Sequence, residues 1–107
     1  MDKPKQMIVV RRDLKMRKGK IAAQAGHACV TAVLAALERE GRLSQVDAQD
    51  GGIVLTPSDK PATPLSEWFA RGVAKVCLYV DSEEELLAID RRAKEAGLIS
   101  ALICDNG

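Results

Sequence analysis

The sequence predicts a single α/β domain, and three observations carry that expectation. Apolar runs rich in β-branched residues at 6–10, 74–80 and 98–103 have the length and composition of strands. Stretches rich in Ala, Leu, Glu and Arg lie between them and read as helices. The last two apolar runs and the helical pattern joining them fill about 30 residues, the size of a βαβ unit. Those two strands are therefore expected to be parallel, with a right-handed crossover.

In chain order, residues 6–10 (Gln-Met-Ile-Val-Val) are nearly continuous in apolar character, the pattern of a strand buried on both faces. The charged connection RRDLKMRKGK leads into a long helix from Ile21 to Glu40, with Gly41 as its stop. Residues 41–65 hold Gly41, Gly51, Gly52, Pro57, Pro61 and Pro64. They read as a long loop, with Ile53-Val54-Leu55 as its one candidate for an edge strand. Pro64 opens a short helix that Gly72 ends. After the strand at 74–80, Ser82-Glu83-Glu84-Glu85 forms a capping box with three acids in the first helical turn, where the helix dipole favours negative charge. Leu86, Ile89, Ala93 and Ala96 supply that helix with an apolar stripe, and Gly97 closes it. No internal repeat or low-complexity tract interrupts this order. The sequence ends at a turn signal, Cys104-Asp105-Asn106-Gly107, directly after an apolar strand, which suggests a domain lacking its last strand.

The chain has 107 residues, 47% apolar and 29% charged, which excludes fibrous and disordered classes and suits one compact domain over 1–107. Such a chain buries roughly two thirds of its unfolded surface, enough for one core without staples. Cys29, Cys77 and Cys104 are widely spaced in apolar runs and read as reduced core residues. No run of 18 apolar residues and no signal-peptide pattern is present, so a cytoplasmic protein without membrane association is expected. Trp68, Phe69 and Tyr79 are the only aromatics, too few for a surface built on base stacking. Charge is the stronger signal. Residues 1–20 carry eight Lys or Arg against Asp2 and Asp13, a net +6, while the remainder nets −5. A polyanion partner would exploit that density through counterion release; a solvated basic face is the alternative.

The most specific local pattern lies on the first helix. At 100° per residue, Lys20, Gln24, His27 and Thr31 fall at about 0, 40, −20 and 20°, sharing one narrow stripe. The face bearing Ala22, Ala25, Cys29, Val33 and Ala36 is small enough to approach a sheet closely. His27 reads either as a satisfied, partly buried histidine or as part of a site with Lys20 and Gln24. Cys29 lies about 200° from His27, so the two cannot form a nucleophile pair. One His and scattered Cys provide no metal-ligand spacing. Lys18-Gly19-Lys20 brings two ammonium groups to a helix start, where free backbone N–H groups and the positive dipole end favour anions. Neither Gly-x-x-x-x-Gly-Lys-Ser/Thr nor Gly-x-Gly-x-x-Gly is present, so neither common nucleotide fold is supported. Asp105 follows the third strand; in open α/β sheets ligands bind beyond the carboxyl ends of strands, and Asp-Asn-Gly is equally good turn chemistry.

Three segments, DLKMRKGKIAAQAGHA, WFARGVAKVCLYVDSEEELL and KEAGLISALICDNG, together resemble the peptidyl-tRNA hydrolase 2 family in order and spacing. The resemblance covers residues 6–40 and 66–107, and the first segment is its most specific part. It implies a three-layer α/β/α domain with a mixed, mostly parallel sheet and helices on both faces. It also implies a dimer that hydrolyses the ester joining a peptide to the 3′ end of tRNA, without a cofactor. The family's functional lysines correspond to Lys18 and Lys20, its glutamine to Gln24, its histidine to His27 and its acid to Asp105. Its threonine, shortly after that turn, has no counterpart before Gly107, and Cys104 stands where many members carry Arg.

Ester hydrolysis needs a positioned water, a proton acceptor, donors to an oxyanion and, for tRNA, cations along the backbone. On that reading Asp105 orients or deprotonates water, Lys20 and Gln24 stabilise the oxyanion, and His27 orients a side chain or contacts the terminal ribose. Arg12, Lys15, Arg17 and Lys18 hold phosphates. The rival reading is a non-catalytic RNA- or protein-binding module of the same fold. A third class uses the Ala-rich helix as a dimer surface.

Overall fold

In a computed structural model, residues 3–47, 52–55 and 60–104 are described. They form an α/β domain in the order β1 (Gln6–Arg11), α1 (Lys18–Arg39), β2 (Leu43–Asp47), β3 (Gly52–Leu55), α2 (Pro64–Ala70), β4 (Lys75–Val80) and α3 (Glu83–Glu95), with one 3-10 turn at Arg12–Leu14 between β1 and α1. β1 and β4 are parallel partners, from Gln6 beside Lys75 to Arg11 beside Val80. α1 and α3 both pack against β1. The Gln6 amide donates to the Cys29 carbonyl at 3.2 Å, and the Cys29 thiol donates to Gln6 Oε1 at 2.8 Å, tying α1 to the start of the strand.

Helix ends follow their local chemistry. Thr63 accepts from the Ser66 N–H while Ser66 Oγ accepts from the Thr63 N–H, a reciprocal cap before Pro64. Ser82 accepts from the Glu85 N–H at 3.1 Å. At the other ends, Gly41 (φ +69°) and Gly97 (φ +78°) adopt the left-handed conformation that reverses the chain. In each case the following residue donates back into the last turn, Arg42 to Leu37 and Leu98 to Ala93, both at 2.9 Å.

Several expectations are corrected. Leu98–Ile103 is not a strand, so the parallel pair is β1–β4 and not a βαβ unit over 74–103. A strand exists only where a neighbour completes its ladder, and these residues pair with none of the described strands. They are held to α3 instead, through Leu98 and through the Ser100 hydroxyl, which donates to Asp90 Oδ1 at 2.7 Å. That bond and one from Lys94 keep the Asp90 carboxyl below its ordinary pKa. Within the expected loop at 41–65, the candidate strand at 53–55 is present as part of β3, and it pairs antiparallel with an unexpected β2 in a sheet of its own. α1 begins at Lys18, three residues before Ile21, with Lys18-Gly19-Lys20 as its start.

Burial is lighter than the apolar patterning implies. Among the described residues, leaving out 45–47 and 52–55, only Val10, Trp68 and Val80 are buried apolar side chains. Met7 in β1 is exposed, so that strand is not covered on both faces. On α1, Ala25, Cys29, Val33 and Ala36 are half-buried, whereas Ala22 is exposed. The radius of gyration is 15.3 Å, against about 13 Å for a compact domain of this length. Cys77 and Cys104 are exposed and Cys29 is half-buried, all three as free thiols, so the first two are not core residues. Alkylation under native conditions should therefore label two thiols at the rate of an unhindered cysteine and Cys29 more slowly. Mass spectrometry of the labelled chain reads this out, and protection of Cys77 would mean that another surface covers this sheet.

Candidate functional site at the start of α1

The parallel strands β1 and β4 end side by side, and β1 runs on through the 3-10 turn into the basic loop. Lys15 there has φ +52°, a left-handed position that turns the chain toward α1, and its N–H donates to the Arg12 carbonyl at 3.2 Å. Arg17 is the N-cap of α1 and supplies no side-chain cap, and the first turn carries no acid. The result is a helix start without a side-chain cap, at the positive dipole end, with Lys18 and Lys20 in the first turn. Like charge at this end costs about 0.3–1 kcal/mol per residue. Helix stability therefore does not account for two lysines there.

Lys18, Lys20, His27 and Thr31 are exposed and Gln24 is half-buried, so the polar stripe runs along the flank of α1 at the margin of its contact with β1. One unbroken helix brings Lys20, Gln24 and His27 together. Lys15, Arg17 and Lys18 form no ion pair among the described residues. Asp105 lies outside the described residues. Among those that are described, no three His, Cys, Asp or Glu side chains converge as a metal site requires.

Arg12 has a partner that local sequence could not reveal. Its guanidinium donates two bonds to Asp81, 69 residues away, at 2.9 and 3.0 Å, and stands 6.0 Å from the centre of the Tyr79 ring. The bonds from Arg12 hold the Asp81 carboxyl below its ordinary pKa and raise that of the guanidinium. Both side chains are exposed, so the pair costs little to open. Arg11 is paired with Asp13 at 2.6 Å. The signal for Arg12–Asp81 is the parallel register itself, which sets the residues following β1 beside those following β4. A second polar cluster, in which Arg42 and the Thr63 hydroxyl both donate to Glu40, roots the β2–β3 hairpin at the far end of α1. That end is about 30 Å from Lys20 at 1.5 Å per residue.

The length and apolar composition of α1 would also suffice to cross a membrane. Here it packs on β1, with Lys18, Lys20, Glu38 and Arg39 at its two ends.

Fold and site together define a class: an α/β domain whose parallel strands lead to a cationic helix start suited to a polyanionic substrate. The chain belongs to the family described as peptidyl-tRNA hydrolase PTH2, whose model matches residues 4–107. It is 40% identical over 103 residues to a peptidyl-tRNA hydrolase of Methanothermobacter thermautotrophicus, covering 96% of this chain and 70% of that one. The corresponding enzyme of Methanopyrus kandleri is 38% identical with the same coverage. A probable peptidyl-tRNA hydrolase 2 of Drosophila melanogaster is 40% identical over 106 residues, 99% of this chain and 46% of that protein, so the chain spans about half the length of this relative.

Proposed function

We propose that this protein hydrolyses the ester between a peptide, or an N-blocked amino acid, and the 3′ end of tRNA, so recycling peptidyl-tRNA in the cytoplasm. The observation that carries the reading is the start of α1, where Lys18 and Lys20 stand in the first turn and Lys20, Gln24 and His27 share one flank, within a chain of this family. In the proposed reaction the oxygen of water bonds to the ester carbonyl carbon and its proton passes to the Asp105 carboxylate. Lys20 and Gln24 donate to the tetrahedral oxyanion. Collapse breaks the bond to the ribose 3′ oxygen, which leaves with the proton. His27 orients a side chain or the terminal ribose, and Arg12, Lys15, Arg17 and Lys18 hold phosphates. The chemistry needs no cofactor.

A homodimer accompanies this reading. Val30 and Leu34 on α1 and Met7 and Leu78 on the sheet are exposed, and a second copy would cover apolar surface of this kind. Sedimentation at micromolar concentration separates dimer from monomer.

Incubation with N-blocked aminoacyl-tRNA should release the acyl group. Binding of tRNA without release under turnover conditions would replace the enzyme by the RNA-binding module. Neutralising about four phosphates should lower affinity by about two orders of magnitude between 50 and 200 mM salt. An affinity insensitive to salt would exclude the cationic footprint.

A further inference from the structure

Tyr79 stands apart from the other aromatic residues. Trp68 and Phe69 contact each other, with ring centres 5.1 Å apart, and Trp68 is anchored at the start of β4 through the Ala74 carbonyl. Tyr79 is at the opposite end of that strand, beside Val10 in the parallel register, and is 54% exposed. It thus lies at the sheet end from which the loop bearing Lys15, Arg17 and Lys18 departs. Beside its ring is the Arg12 guanidinium, oriented by two bonds to Asp81. Arg12 stands over one face of the ring, 6.0 Å from its centre and within reach of a cation–ring attraction, and Tyr79 remains 54% exposed with it there.

An exposed ring flanked by an oriented guanidinium, next to phosphate-binding cations, is the chemistry that holds an unpaired nucleobase: the ring stacks on the base and the cation serves its phosphate or its other edge. We infer that Tyr79, with Arg12 beside it, is a stacking platform for one unpaired base of the single-stranded 3′ end of the tRNA. The inference rests on the proposed function and names a subsite of it. A platform at this place fixes the last unpaired nucleotides while the cationic loop holds the backbone, and so delivers the ester to the flank of α1. Bases within the duplex stem are already stacked and cannot use it, so the platform adds recognition of the overhang to the electrostatic footprint.

The experiment uses two acceptor-stem mini-helices, one with the three-nucleotide 3′ overhang and one blunt, with the wild-type chain, Tyr79→Leu and Tyr79→Phe. The overhang should tighten wild-type binding about 10-fold, on the scale of one aromatic stack. That gain should vanish in Tyr79→Leu and persist in Tyr79→Phe, with the blunt helix bound equally by all three. With N-blocked aminoacyl-tRNA, Tyr79→Leu should raise KM and leave kcat unchanged, the mark of an interaction present equally in ground and transition states. An overhang gain that survives Tyr79→Leu, or that is absent from the wild type, overturns the platform. So does an equal loss on both helices, which would mean that Tyr79 serves the fold. An overhang gain that depends on Tyr79 in a wild-type chain unable to release the acyl group sustains the platform and overturns the proposed hydrolysis instead.

Discussion

Replacing Lys20 by methionine is expected to lower kcat for N-blocked aminoacyl-tRNA by about 10²- to 10³-fold, the scale for losing one donor to a developing oxyanion. Methionine keeps the unbranched apolar stem and is a good helix former. Lys20 is exposed in the first turn of α1, so no core contact is lost. The melting temperature of the variant, measured alongside, separates a loss of stability from a loss of turnover. If Lys20 binds phosphate alone, the defect will fall on KM and shrink at saturating substrate. Measuring kcat and KM separately decides between the two roles, and a variant with both unchanged removes Lys20 from the site.

The largest expected loss of stability follows Trp68→Ala. Trp68 is the largest of the three buried apolar side chains, and its indole N–H donates to the Ala74 carbonyl at 2.7 Å. The same carbonyl accepts the Gln6 N–H at 2.9 Å. One acceptor, on the residue just before β4, therefore joins α2 to the first residue of β1. Truncating a buried tryptophan costs about 3–5 kcal/mol, a large part of the roughly 5–15 kcal/mol that holds a domain folded. Urea denaturation followed by far-ultraviolet circular dichroism should show the midpoint falling accordingly. Trp68→Phe should retain part of the loss, since it keeps apolar volume but not the N–H donor. A shift below about 1 kcal/mol for the alanine variant would mean that α2 does not depend on this anchor.

What the sequence determined by itself are features settled within a few residues. The start and stop of α3 were legible because Ser82 reaches only as far as Glu85 and Gly97 acts on the turn just before it. The cationic start of α1 and the stripe of Lys20, Gln24 and His27 were legible because a helix converts spacing into direction without reference to the rest of the chain. Family membership rests on the same local segments. Tertiary structure decided which segments meet. The apolar run at 98–103 has strand composition, yet it pairs with no described strand, and a ladder is a property of two segments together. Ile53–Leu55 lay in an apparent loop because the hairpin's pairing with Leu43–Asp47 is cross-strand and leaves only a weak local trace. The cysteines sit in apolar runs, but exposure depends on what covers a strand. Arg12 belongs by sequence to the basic segment, and its bond to Asp81 spans 69 residues. No local pattern encodes that pairing; it arises because β1 and β4 lie parallel and in register, so that their carboxyl ends, and the charges just beyond them, come within hydrogen-bonding distance.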